Sequence, residues 1–371
     1  MKKEYDIIIV GSGLYGSVVA YMAHQAGYRC LVVEKRPFTG GNIHDEVNEG
    51  INVHLYGPHI FHTGNQKVWD FANRFTLFNH FRYCPLARYK DKLYNLPFNM
   101  HTFYQLYGIQ DPEKVMLRLR QEQEICSHPR NLEEKAISMV GRVMYETLIK
   151  GYTEKQWGRK ATELPPFIIA RLPLRFTFDN NYFNDPYQGI PVKGYAYWID
   201  KMLEGIEVRL NTDFLAEKKR WIEKARHILY TGPIDAFFDY RLGELEYRSL
   251  RFEHILFEKP NVQGIAVINE TDSRIPYTRS IEHKHFVFGT QPVSIVTREF
   301  PQKWDRDREP FYPVNDENNN RLYLRYKDLA QKEYPHVTFG GRLGMYRYFN
   351  MDEAVKSALE QWDMITKIIA M

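Results

Sequence analysis

The chain has 371 residues, enough for two or three domains, and its 44% hydrophobic and 26% charged content is that of a folded globular protein. The net charge of +4 comes without a dense Lys/Arg block, which argues against a nucleic-acid binder and suits a small anionic substrate. No apolar run is long enough to cross a bilayer, and a strand-like run follows the first residues so closely that no leader peptide and a cytoplasmic location are expected.

Asp6-Ile7-Ile8-Ile9-Val10 reads as a buried parallel strand, and Gly11-Ser12-Gly13-Leu14-Tyr15-Gly16 follows at once. A helical stretch runs to Gly27, and a second apolar run, Cys30-Leu31-Val32-Val33, ends at Glu34. The first glycine permits a tight turn, the second lets backbone approach a pyrophosphate, and the third lets helix pack on strand. The helix N-terminus offers free N–H groups to phosphates, and Glu34 stands where an acid binds a ribose hydroxyl. Lys35-Arg36 follow, then Gly40-Gly41-Asn42. A second glycine pair so close behind the acid favours FAD over NAD, with an ordinary surface turn as the alternative.

The fold expected is α/β: a Rossmann-like FAD-binding domain with an inserted helical domain and an antiparallel β-sheet domain. The FAD-binding part takes 1–78, 204–236 and 318–371; the helical part takes 100–170; the sheet part takes 79–99, 171–203 and 237–317. In the helical part, Asp111 before Pro112 is an N-cap with proline at the first helical position, and Asn131-Leu132-Glu133-Glu134 resembles a capping box. Ala136, Ile137, Val140, Val143, Met144 and Leu148 recur at helical spacing, and Gly151 is the expected stop. Strands are expected at 206–210, 227–230, 262–269 and 294–300. The last helix covers about 351–369, with Asn350 as N-cap and Glu353 as its partner.

Tyr152-Thr153-Glu154-Lys155-Gln156-Trp157-Gly158 places two amphipathic aromatics where they could stack a base or cover a sugar; plugging a domain junction is the alternative. Arg171, Arg175, Arg279, Arg342 and Arg347 sit among tyrosines, the mixture of fixed cations and neutral donors that a diphosphate needs, although surface ion pairs would also use them. Glu282-His283-Lys284-His285 would put both histidines on one face of a strand, but no matching ligand pair stands out, so no metal is expected. Cys30, Cys84 and Cys126 are scattered and odd in number, which predicts a reducing compartment without a disulfide frame. Pro58-His59-Ile60-Phe61-His62 follows the nucleotide segment and suits cofactor contact.

The blocks Tyr56 to Thr63, Gly151 to Gly158, Arg171 to Tyr182, Tyr277-Thr278-Arg279 and Gly341 to Met351 occur in that order, and together they resemble the bacterial UDP-galactopyranose mutases. The resemblance implies interconversion of the pyranose and furanose forms of UDP-galactose by an FAD enzyme that must be reduced, although no electrons are transferred overall. It implies attack of reduced flavin N5 on the anomeric carbon, departure of UDP, and ring opening and reclosure on the adduct. It also implies a homodimer, an unidentified flavin reductant, and galactofuranose supply for surface polysaccharide. By the same resemblance, Arg171, Arg279 and His59 carry the chemistry. Tyr152 stacks the uracil, with Thr153 beside it and Asn269 as a further nucleotide contact; Trp157 lies by the sugar, and Tyr182, Tyr312 and Tyr348 bind phosphate. Gly11, Ser12, Gly13, Gly16, Glu34, Lys35, Gly41, Asn42, His59, Phe214, Gly341, Arg342, Tyr348, Asn350 and Met351 hold the cofactor. The chain departs from the pattern at Phe311-Tyr312-Pro313, where relatives often show two tyrosines, and at Asn350, where many have Asp. A flavin oxidoreductase of the amine-oxidase type is the alternative reading.

Overall fold

A computed structural model describes residues 3–169 and 174–370, so Arg171 lies outside the described residues. A five-stranded parallel sheet takes the strands in the order Val337–Phe339, Ala225–Tyr230, Tyr5–Val10, Cys30–Val33 and Glu207–Arg209. Its central strand is covered on both faces, and Ile7, Ile8 and Ile9 are fully buried, which is why that run is apolar without alternation. The helix Leu14–Gln25 crosses back over the sheet and packs on the last helix, Met351–Ala370. Val355, Ala358, Trp362, Ile365 and Ile369 form the buried stripe of that last helix, at spacings of three and four. The sequence grouping placed 171–203 with the second sheet. The helix Tyr195–Met202 instead packs on Leu14–Gln25, because Tyr195, Trp198, Ile199 and Met202 share the nucleotide-side core.

The second sheet has seven strands in the order Tyr312–Pro313, Tyr247–Phe257, Ser294–Lys303, Arg279–Glu282, Val267–Glu270, Leu86–Tyr89 and Lys92–Asn95. Its pairs are antiparallel except where Val267–Glu270 lies parallel to Leu86–Tyr89. The strand expected from 262 begins only at Val267, since the N–H groups of Val262 and Gln263 donate instead to the Glu282 carboxylate, at 2.9 and 2.8 Å. The expected histidine face is also absent. The strand ends at Glu282 and His283–Val287 forms a 3-10 turn, so His283 meets Thr297 while His285 meets Glu282. Register sets Asn269 beside Arg279 and Arg279 beside Glu299, and directly paired residues project from the same face.

The helical part holds Met100–Tyr107, Pro112–Glu122 and Leu132–Val140. Asp111 caps as its sequence context predicts, accepting from the N–H groups of Glu113 and Lys114. Asn131 accepts from the Glu134 N–H at 2.9 Å, but the Glu134 carboxylate returns to the Arg130 N–H, so the box is displaced by one residue. Gly141, at φ +79, breaks the helix and resets its phase, which leaves Val143 of the expected apolar stripe 43% exposed. A π-helical turn, Tyr145–Ile149, runs directly into the helix Lys150–Trp157, which ends at Gly158 with φ +64. Gly151 is therefore not a stop. It is a point of close approach, where a Cβ would overlap the carbonyl oxygen of Thr271.

Gly16 shows the same constraint in the nucleotide fold, since a Cβ there would overlap the Gly11 carbonyl oxygen. Gly16→Ala should lower unfolding free energy by about 1–3 kcal/mol through overpacking and reduce cofactor retention. Urea titration of the purified protein checks this; an unchanged midpoint with full flavin content contradicts it.

Candidate functional site: a dinucleotide cleft beside an arginine–tyrosine pocket

The C-terminal ends of the parallel strands open into a cleft of about 410 Å³. Gly11, Gly13 and Gly16 line it from the first turn, and Glu34 and Lys35 from the end of the second strand. Gly41, Asn42, His59 and Phe214 line its walls, with Gly341, Arg342, Asn350 and Met351 contributed from the C-terminal segment. Gly13 bridges to Gly40, and a Cβ on Gly41 would stand 3.0 Å from the Gly13 Cα, so the second glycine pair folds back onto the first. Buried Arg36 Nη1 and His59 Nδ1 have no hydrogen-bond partner among the described residues. A glycine-walled groove with such polar atoms fits a long dinucleotide.

Ser12 is buried behind the wall rather than part of it. Its N–H and hydroxyl both donate to Glu34 Oε2 at 2.8 Å, and the Arg36 N–H donates to Oε1 at 2.9 Å. These three bonds fix the Glu34 carboxylate and leave it acceptor capacity for a hydroxyl donor. Glu309, which sequence reasoning missed, bridges Lys35 at 2.6 Å and Arg36 at 3.2 Å. Its remote position in the chain gives no local pattern to detect. At the last helix the Asn350 N–H donates to Glu353 at 2.9 Å, the expected capping partner.

Behind the cleft, three histidines form a neutral chain. The backbone N–H of His59 donates to His54 Nδ1 at 3.2 Å, the backbone N–H of His54 donates to His283 Nδ1 at 3.2 Å, and His283 Nε2 lies 2.6 Å from Thr297 Oγ1. Burial, with the charges of Arg342 and Arg279, lowers His59 to about 3; burial, then His254, lowers His283 to about 3. Burial likewise holds His54 well below its usual value.

Next to this cleft the second sheet offers Arg279. Its Nε donates to Glu299 Oε1 at 3.0 Å and its Nη2 lies 2.8 Å from Glu299 Oε2, an ion pair with one hydrogen bond. The Thr278 hydroxyl donates to Glu299 Oε1 at 3.1 Å. Burial alone would lower Arg279, but the Glu299 carboxylate more than offsets it, so the guanidinium stays charged. Tyr83, Tyr152, Tyr182 and Tyr312 surround it, and burial raises all four phenols, Tyr312 to about 12. They remain neutral donors at neutral pH. Asn269 Oδ1, beside Arg279 in register, is buried without a partner among the described residues. Arg342 links this pocket to the cleft: its guanidinium lies 5.6 Å from the Tyr312 ring centre and 5.0 Å from that of Tyr348. It is fixed by donation to the carbonyls of Phe311 and Phe349.

Tyr348 is half exposed and stacks with Tyr312 at 6.0 Å; it does not line the dinucleotide cleft. Thr153 is buried on the same helix as Tyr152. Trp157 lines a second cleft, of about 610 Å³, with Tyr247, Arg248 and Trp304. Tyr83 and Glu299 were missed by sequence reasoning; Tyr83 carries no motif, while a largely buried Arg279 demands a counter-ion that only strand register identifies. Among the described residues no cluster of potential ligands could hold a metal, and Cys30, Cys84 and Cys126 are free.

The sequence profile of the family described as UDP-galactopyranose mutase matches residues 147–348, and that of an NAD(P)-binding Rossmann-like domain matches residues 9–75. The chain is 37% identical to a protein named dTDP-fucopyranose mutase from Escherichia coli, with 95% of this chain and 96% of that one covered. The chain belongs to the UDP-galactopyranose mutase family. A second relative, named "Probable UDP-galactopyranose mutase", from Klebsiella pneumoniae, is 36% identical, with 98% and 96% covered. The crystal structure of a reduced UDP-galactopyranose mutase shares the fold, with a TM-score of 0.76 at 15% identity over 98% and 96% of the two chains. Family membership makes the protein an isomerase.

The histidine chain predicts acid sensitivity. Unfolded imidazoles take up protons below about pH 6.5, whereas folded His59 and His283 stay neutral down to about pH 3. Stability should therefore fall as pH drops through this window, by about 1.4 kcal/mol per pH unit per ring. Urea titrations between pH 7 and 4.5 check it. His283→Asn should flatten the slope by one ring's share, and an unaltered slope contradicts the assignment.

Proposed function

We propose that the protein binds FAD in the dinucleotide cleft and, with that FAD reduced, interconverts UDP-galactopyranose and UDP-galactofuranose without net redox. The observation that carries this reading is Arg279: a largely buried, charged guanidinium, held from behind by Glu299 and ringed by neutral phenols, beside the cleft that would hold the cofactor. The Gly11, Gly13 and Gly41 backbones would admit the pyrophosphate of FAD, with Glu34 and Arg36 fixing its polar groups. Bound reduced flavin would supply the electron-rich centre that reacts at the anomeric carbon. Arg279, Tyr182, Tyr312 and Tyr348 would grip the diphosphate and stabilise the charge that develops as it departs. Tyr152, Thr153 and Asn269 would hold the nucleoside, and Arg171 would add a second guanidinium. Neutral His59 would face the cofactor without adding charge. A cytoplasmic homodimer supplying galactofuranose to surface polysaccharide, and drawing electrons from a separate reductant, completes the reading.

A second substrate follows from one observation. The Escherichia coli relative named for dTDP-fucopyranose is as similar to this chain as the Klebsiella pneumoniae protein named for UDP-galactopyranose. Both sugars belong in the test. Dithionite-reduced protein should interconvert UDP-galactopyranose and UDP-galactofuranose without any electron acceptor, followed by chromatography. Turnover of dTDP-fucopyranose alone would move the assignment to that sugar, and oxidation of a substrate would favour an amine-oxidase type of reaction.

Arg279→Lys should keep the bound-flavin spectrum while kcat/KM falls by about 10²-fold or more, since an ammonium cannot reproduce the planar donor set of a guanidinium. Near wild-type turnover in steady-state assays contradicts the diphosphate assignment.

A further inference from the structure

Lys155 lies on the helix Lys150–Trp157, three residues after Tyr152 and two before Trp157. Its side chain turns away from solvent into the connection between the strands Val267–Glu270 and Arg279–Glu282. There the ammonium donates to the carbonyl oxygens of Glu270 at 2.7 Å, Asp272 at 2.9 Å, Ile275 at 3.0 Å and Tyr277 at 3.0 Å. Three N–H groups are thus shared among four acceptors drawn from one turn. The neighbouring carboxylates bind elsewhere: Glu270 pairs with Arg88 at 3.3 Å, and Asp272 with Arg274 at 2.6 Å. The ammonium bonds only to backbone carbonyls, while the nearby Glu270 and Asp272 charges favour its protonated form. Burial lowers Lys155 to about 8, so holding it there costs free energy that the cage must offset.

We propose that Lys155 is a positioning residue for the nucleotide-sugar site: its carbonyl cage fixes the helix carrying Tyr152, Thr153 and Trp157 against the strand ends carrying Asn269 and Arg279. The caged turn starts one residue after Asn269 and ends two residues before Arg279, so a displacement of the turn moves both. The same junction is closed at a second point. Gly151 leaves no room for a side chain against the Thr271 carbonyl, and the Thr271 hydroxyl donates to the Thr147 carbonyl at 2.8 Å. The π-helical turn Tyr145–Ile149 lies just before this contact and gives the helix its local offset. Two segments of chain, more than a hundred residues apart in sequence, are brought to a common register by one ammonium and one missing Cβ.

This inference rests on the proposed nucleotide-sugar site, so the experiment separates the two. UDP affinity is measured by titration calorimetry on flavin-loaded wild type, Lys155→Met, Gly151→Ala and the double variant. Each single variant should keep the bound-flavin spectrum and lose at least about tenfold in UDP affinity. The double variant should be no weaker than the weaker single, because both changes break one junction. Lys155→Gln, which retains two N–H donors, should fall between wild type and Lys155→Met. UDP binding within twofold of wild type in both singles overturns the role, and so do losses that multiply in the double variant. Loss of flavin from both singles also overturns it, since the cage would then serve the fold as a whole. Failure of wild type to bind UDP or dTDP would count against the functional reading instead.

Discussion

A guanidinium cannot be taken largely out of water without a partner, and Arg279, with its side chain 18% exposed, is the cation around which the proposed site is organised. Glu299 is its partner across the antiparallel ladder, and Thr278 secures the carboxylate from the side. The pair leaves the outward edge of the guanidinium facing phenols rather than a second acid. Such a site is charged, rigid and short of acceptors. It attracts an anion with several oxygens and offers little to a neutral molecule.

The cofactor side depends on a different constraint, the distance of closest approach between backbones. Gly16 against Gly11 permits a contact that any side chain would prevent, and Gly41, at φ +57, lies so near Gly13 that a Cβ would stand 3.0 Å from its Cα. The first draws the crossover helix onto the sheet; the second folds the Gly40–Gly41 turn back over the first loop. Arg342 then joins the two halves, because it touches the cleft wall and lies over the Tyr312 and Tyr348 rings. Chemistry between a bound dinucleotide and a bound diphosphate needs such a shared wall.

The sequence made the nucleotide fold readable because its signals are local. The strand, glycine turn, helix, strand and acid from Tyr5 to Glu34 are contiguous, and each reports a steric or electrostatic duty at fixed spacing. Helix caps such as Asp111 were legible for the same reason. What was not legible depends on partners distant in the chain. Gly151 looks like a helix stop until Thr271 is seen against it, and the strand expected at 262 fails because Glu282 captures its amides. Glu299 and Tyr83 have no motif of their own; their place follows from strand register and from the demand of a largely buried arginine. Trp157, which the family resemblance sets beside the sugar, lines a second cleft with Arg248 and not the dinucleotide cleft.

That separation makes one measurement decisive for the central claim, that the diphosphate-binding site is the Arg279 pocket. A crystal structure of the flavin-loaded protein with UDP would show where the two phosphates lie. The account predicts them within hydrogen-bonding distance of the Arg279 guanidinium and the Tyr182 and Tyr312 hydroxyls. Phosphates found instead against Arg248 in the cleft beside Trp157, with the Arg279 pocket holding only water, would contradict it.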